Sequence, residues 1–130
     1  AWKRAAMIDT DTPQGAPLRV LVVEDEWMLA DELRRDLEAA GATVLGPVGS
    51  VDEALRVLSD QPVPDAAVLD VNLNTKMVFP VATALRKRGV PFVFTTGYDC
   101  SALPDAFAGV VCFEKPVPMS ALLAALIGKG

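Results

Sequence analysis

From Leu18 onward, short apolar runs alternate with longer stretches whose apolar residues recur every three or four positions, the pattern of a parallel sheet wrapped by helices. LRVLVV (18–23) reads as a buried strand. Leu29, Leu33 and Leu37 then fall at intervals of four among Asp31, Arg34, Arg35 and Glu38, giving one apolar helical face that ends at Gly41. ATVLG (42–46) returns as a second strand. Ser50 and Glu53 make a capping box for a helix carrying Val51, Ala54, Leu55 and Leu58, which Pro62 and Pro64 stop. AAVLD (66–70) is a third strand, and Val81, Leu85 and the terminating Gly89 define a third helix. PFVFT (91–95) and VVCF (110–113) are the fourth and fifth strands. Leu122, Leu123, Leu126 and Ile127 face inward on the last helix.

Right-handed crossovers turn this order into a flavodoxin-like, doubly wound five-stranded parallel α/β sheet with strand order 2-1-3-4-5. Pro104, Gly109 and the scarcity of apolar repeats between the last two strands predict a short or irregular fourth helix. A length of 130 residues suits one domain. Residues 1–17, with Pro13, Gly15 and Pro17, read as a flexible tail or linker, and 18–130 as the domain. Ala1 to Ala6 precede Met7, as a tag remnant or the end of an upstream domain would.

Composition narrows the chemistry. Hydrophobic residues make up 52% and aromatic residues 6%, so the core is built mainly of Val, Leu and Ala. No apolar run is long enough to span a bilayer, and AWKRAAMIDT lacks the apolar stretch of a signal peptide, so a soluble cytoplasmic protein with no membrane partner is expected. A net charge of -5 and no long Lys/Arg cluster argue against direct nucleic-acid binding. Cys100 and Cys112 are then expected to be reduced thiols, and they lack zinc-site spacing. The chain has no histidine, which excludes Ser-His-Asp and Cys-His catalysis and histidine metal ligation.

Ligands of such sheets sit beyond the carboxyl ends of the strands. Those ends carry Glu24, Asp25 and Glu26, then Asp70, Thr96 and Lys115. Carboxylates from two adjacent strands offer hard oxygen ligands of the kind Mg²⁺ takes alongside water and phosphate oxygens. Asp70 can then act as nucleophile on phosphorus while the metal, the Thr96 hydroxyl and the Lys115 ammonium neutralise the transferring group. Taken singly, each residue has a plainer role: the acids cap a helix, Asp70 sits in a turn, Thr96 is a loop hydroxyl and Lys115 a solvated charge. Their joint placement at matching strand ends favours phosphotransfer.

VLVVEDE, AVLDVNL, FVFTTGY and FEKP together resemble the signatures of response-regulator receiver domains of two-component signalling, over residues 18 to 128. The resemblance implies that Asp70 is the phosphoacceptor and that Asp25 and Asp70 bind Mg²⁺ directly. Glu24 would act through water and Asn72 would contribute its backbone carbonyl. Thr96 and Lys115 match the hydroxyl and lysine that contact the phosphoryl group, and Lys115-Pro116 matches a bond usually cis in the family. PFVFTTGY with FPVATALRKRG is similar to a subclass of short receivers associated with HWE-type sensor kinases. Two positions depart from pattern: Cys112 stands where the family has an aromatic three residues before the lysine, and Thr95 where the subclass more often has alanine. Tyr98 is then either a substitute mobile element or loop packing.

The resemblance implies no enzyme activity beyond the domain's own aspartyl phosphorylation and dephosphorylation. The phosphodonor would be a histidine kinase, HWE-type by the subclass, or a phosphotransfer protein. Output would pass to a downstream protein or a domain outside this sequence, and a homodimer is compatible with the same residues. Segment 97–109 is the expected switch element. Trp27, Met28 and Arg34 are candidate partner contacts or ordinary surface. Two other readings compete: a receiver-like module that is never phosphorylated, and a Mg²⁺-dependent phosphatase of the haloacid-dehalogenase type. The latter places its nucleophile after the first strand, whereas Asp70 follows the third.

Overall fold

The computed structural model describes residues 17–74 and 76–127, with backbone alone at Ile127. The tail expected over 1–17 therefore lies, Pro17 apart, outside the described residues, as does the inward face assigned to Ile127. In chain order the elements are β1 (Arg19–Val23), α1 (Trp27–Ala39), β2 (Thr43–Val48), α2 (Val51–Asp60), β3 (Ala66–Asp70), α3 (Phe79–Lys87), β4 (Phe92–Thr96), β5 (Cys112–Glu114) and α4 (Met119–Ile127). A short antiparallel hairpin, Asn72–Leu73 against Lys76–Met77, follows β3. The main sheet is parallel throughout, in the order β2-β1-β3-β4-β5, which is the predicted topology.

Both faces of the central strands are covered, which is why β1 and β3 read as unbroken apolar runs rather than alternating ones. Alternate residues serve opposite sides. Leu21, Val23, Ala67, Leu69 and Phe94 pack with α2 and α3, while Val20, Val22, Ala66, Val68 and Val93 pack with α1 and α4. On α1 the predicted stripe is realised, with Leu33 and Leu37 buried and Leu29 packed at its edge. Leu122 and Leu126 are buried on α4, with Leu123 packed beside them.

The ends of the elements follow from local chemistry. Gly41 has φ 99°, so its N–H can donate to Glu38 O (2.9 Å) while Ala42 N–H donates to Leu37 O (3.0 Å), closing α1. Ser50 Oγ accepts from Glu53 N–H (3.1 Å), and the Glu53 carboxylate accepts from Gly49 N–H (3.0 Å), one residue ahead of the cap. β2 runs past the predicted 46 to Val48, because the β1–β2 register shifts around Gly46 and pairing resumes at Val23–Val48. Gly46 sits at φ 90°, and a Cβ there would lie 2.7 Å from Val48 N and 3.1 Å from Val22 O. Gly46→Ala is therefore expected to cost about 1–3 kcal/mol, read as a lowered urea midpoint. An unchanged midpoint would refute this account of the bulge.

β5 is shorter than predicted and starts at Cys112 rather than 110. Val110 N–H is drawn away to Phe107 O (3.1 Å), and the ladder with β4 begins at Phe94–Cys112. The irregular fourth helix takes the form of two 3₁₀ turns, Cys100–Ala102 and Asp105–Phe107. Leu103 and Pro104 between them are extended, with ψ 145° and 153°, so no longer helix can form. The Lys115-Pro116 bond is cis, as the resemblance implied, and Gly46-Pro47 is also cis.

The structure corrects the reading of the cysteines. Cys100 and Cys112 are joined in a disulfide, with Cα atoms 6.0 Å apart. Twelve residues of sequence separate them, but the first 3₁₀ turn lays Cys100 against the start of β5, within the span a disulfide bridges.

Candidate functional site

The register of the sheet assembles the site. Val23 pairs with Leu69, so the next residues on β1 and β3, Glu24 and Asp70, emerge side by side. Asp70 in turn pairs with Thr95, and Thr96 pairs with Glu114, which places Lys115 just beyond the end of β5. Thr96 O accepts from Lys115 N–H (2.8 Å), tying the two strand ends together.

Glu24, Asp25 and Asp70 offer carboxylate oxygens that lie within 4.8 Å of one another. Glu24 and Asp70 are each 3% exposed, and Asp25 is half-buried. Three acids this close repel in the ionised state. Burial, then the charge of Glu24, push Asp70 up to about 8, against the pull of Lys115. Burial also raises Glu24, against the Glu26 N–H that donates to its Oε2 (3.0 Å) and against Lys115. Lys115 Nζ lies 2.9 Å from Glu26 Oε1, 3.3 Å from Glu24 Oε2 and 3.5 Å from Asp70 Oδ2. Although burial disfavours its charge, the Glu26 hydrogen bond and the charges of Asp70 and Glu24 hold the ammonium well above the usual lysine range.

Thus the structure brings together Glu24, Asp25, Asp70 and Lys115. Thr96 is buried, but its Oγ1 accepts from Tyr98 N–H (3.0 Å), and its side chain lines a groove of about 440 Å³ shared with Asn72, Phe79 and Tyr98. Asn72 opens the hairpin beside that groove. Tyr98 is 70% exposed, outside the core. Trp27 and Met28 project from the start of α1 and are exposed, whereas Arg34 is held by Asp31 (2.5 Å) and Glu38 (2.9 Å) on its own helix.

One participant reads in the sequence only as a helix cap. Glu26 supplies the shortest contact to the Lys115 ammonium. Its position one residue after Asp25 was the signal, but only the fold shows that the lysine reaches it.

The fold has close counterparts. SdrG from Sphingomonas melonis Fr1 is 38% identical, with a TM-score of 0.73 over 85% of this chain and 97% of that one. A response regulator receiver protein from Sinorhizobium medicae is 27% identical, with a TM-score of 0.73 over 84% of this chain and 90% of that one. This chain belongs to the response-regulator receiver family. Among longer relatives of the receiver, the sensory transduction protein LytT of Bacillus cereus is 39% identical over 89 residues, 66% of this chain. The receiver spans 36% of LytT's length. No protein-family model matches the chain. No described helix of the receiver is long and apolar enough to cross a membrane.

Proposed function

We propose that this receiver accepts a phosphoryl group on Asp70 from a phosphohistidine of a kinase or phosphotransfer protein. The observation that carries the reading is the meeting of Lys115 Nζ with Asp70 and Glu24 at one end of the sheet, beside the clustered carboxylates. The beryllofluoride-activated conformation of SdrG, whose sequence is 38% identical, supports it.

The acids fit a hard divalent cation: all donors are oxygens, and Glu24 Oε1 is buried with no hydrogen-bond partner. Asp25 and Asp70 would hold Mg²⁺ directly, Glu24 through water and Asn72 through its backbone carbonyl. When bound, Mg²⁺ supplies positive charge against the carboxylates and the phosphoryl oxygens. Asp70 would use a carboxylate oxygen to attack phosphorus as the bond from phosphorus to the donor imidazole nitrogen breaks. Lys115 is placed to leave its contacts with the acids for the new phosphoryl oxygens, and Thr96 would exchange the Tyr98 N–H for the same group.

We take residues 18–130 of the sequence as the domain and 1–17 as a tail or linker, and place its action in the cytoplasm. We assign the donor to the HWE-type class from PFVFTTGY and FPVATALRKRG. Output passes by protein contact, and the receiver has no activity beyond its own phosphorylation and dephosphorylation.

Intact-protein mass spectrometry after incubation with acetyl phosphate and Mg²⁺ tests this reading. One phosphoryl adduct is expected, lost completely in Asp70→Asn and with a chelator. An adduct that survives Asp70→Asn would move the acceptor elsewhere. Partner binding indifferent to Asp70→Asn and to Mg²⁺ would favour an unphosphorylated interaction module.

A further inference from the structure

Cys100 and Cys112 are the only cysteines in the chain, and their bond ties segment 97–109 to the start of β5. Cys100 follows Thr96 by four residues, and Cys112 precedes Lys115 by three. A second tie runs alongside, from Cys100 N–H to Glu114 Oε2 (3.0 Å). The groove beside Thr96 is walled in part by Asp99, Ala102, Leu103 and Pro104, all within four residues of Cys100. Both cysteines are only partly buried, so a small thiol can reach them.

We propose that this pair is a reversible redox site that sets how readily Asp70 takes a phosphoryl group; the inference rests on the receiver reading above. Thr96 Oγ1 accepts from Tyr98 N–H, which fixes where the side chain sits. Turning it toward a phosphoryl group requires residues 97–99 to rearrange, and the Cys100–Cys112 bond pins the end of that stretch to β5. The oxidised form therefore resists activation and the reduced form permits it.

Oxidation proceeds by exchange with a small-molecule disulfide of the glutathione class. One cysteine thiolate attacks a sulfur of that disulfide and expels one glutathione thiolate. The other cysteine then attacks the mixed disulfide and expels the second. The protein loses two electrons, the reagent gains them, and the two cysteine protons end on the released thiols. Where glutathione is mostly reduced, such a bond is transient and reports oxidation.

Beryllofluoride with Mg²⁺, titrated calorimetrically into the full chain in oxidised and in reduced glutathione buffer, tests the proposal, with alkylation mass spectrometry reading the thiols. We expect binding weaker by about fivefold or more in the oxidised chain, at the low end of coupling between sites. By reciprocity, beryllofluoride must favour reduction of the bond by the same factor. The variant Cys100→Ser/Cys112→Ser should bind like the reduced chain in both buffers. Equal affinity of the two redox states, or thiols that stay free in oxidised glutathione, would overturn the redox site and leave the receiver reading intact. Absence of binding in both buffers would overturn the receiver chemistry itself, and this inference with it.

Discussion

Between about pH 4 and about pH 8 the metal-free chain will melt at progressively lower temperature as pH rises, and saturating Mg²⁺ will remove most of that slope. The sign follows from Asp70. Its folded value lies above the ordinary carboxylate value of 3.8, so over this interval the folded state holds a proton that the unfolded state has released. The associated stability is complete below about pH 4 and lost as pH passes through about 8, at no more than about 1.4 kcal/mol per pH unit. Glu24 shifts in the same direction and adds to the effect. Asp31, beside Arg34, and Asp99, which accepts from Ser101 N–H, are shifted downward, so their opposite contributions fall below this interval. Asp70→Asn should flatten the metal-free slope and raise stability near neutral pH by about 1–3 kcal/mol. Thermal melts in chelator and in Mg²⁺ across this range provide the measurement. A metal-free chain whose stability climbs toward pH 8 would show that the acids do not repel as their packing requires.

Phe94→Ala will lose about 3–5 kcal/mol, a large fraction of the roughly 5–15 kcal/mol that holds a domain together. Phe94 is fully buried on β4 and meets three other rings: Phe79 at 5.8 Å, Phe92 at 5.4 Å and Phe107 at 5.6 Å between centroids. Two of these contacts are close to perpendicular, the arrangement in which ring edges meet ring faces. Phe107 belongs to the second 3₁₀ turn and is stacked on Phe79, with the Arg86 guanidinium 4.7 Å from its ring centre. Removing Phe94 therefore empties the point where the second 3₁₀ turn is nailed to α3. Urea unfolding would register the loss, and amide exchange should show residues 105–110 opening first. A loss under about 1 kcal/mol would mean that the neighbouring rings collapse into the space.

How much of this was legible beforehand depends on whether a property is local. The run at β1, the Leu33–Leu37 stripe and the Ser50 cap are stretches of neighbouring residues, and each folds as it reads. The acids and Lys115 were legible for a related reason: a parallel sheet lines up its strand ends, so position within a run locates a residue in space. The cysteine pair was not, since it depends on how the 3₁₀ turns fold back on β5. The engagement of Thr96 by Tyr98, and of Lys115 by Glu26, likewise required side-chain geometry. Thr95, singled out as a departure, is completely buried, and its hydroxyl has no hydrogen-bond partner.

The sheet divides the interior in two, and side chains from opposite faces of β1 and β3 never share a neighbourhood. The second 3₁₀ turn is anchored in one compartment, where Phe107 packs with Phe94 and α3. The other compartment, under α1 and α4, includes no residue of 97–109. Conservative core exchanges under α1 and α4 therefore leave the seat of Phe107 intact, provided that the Glu26–Lys115 contact at the edge of that side is kept.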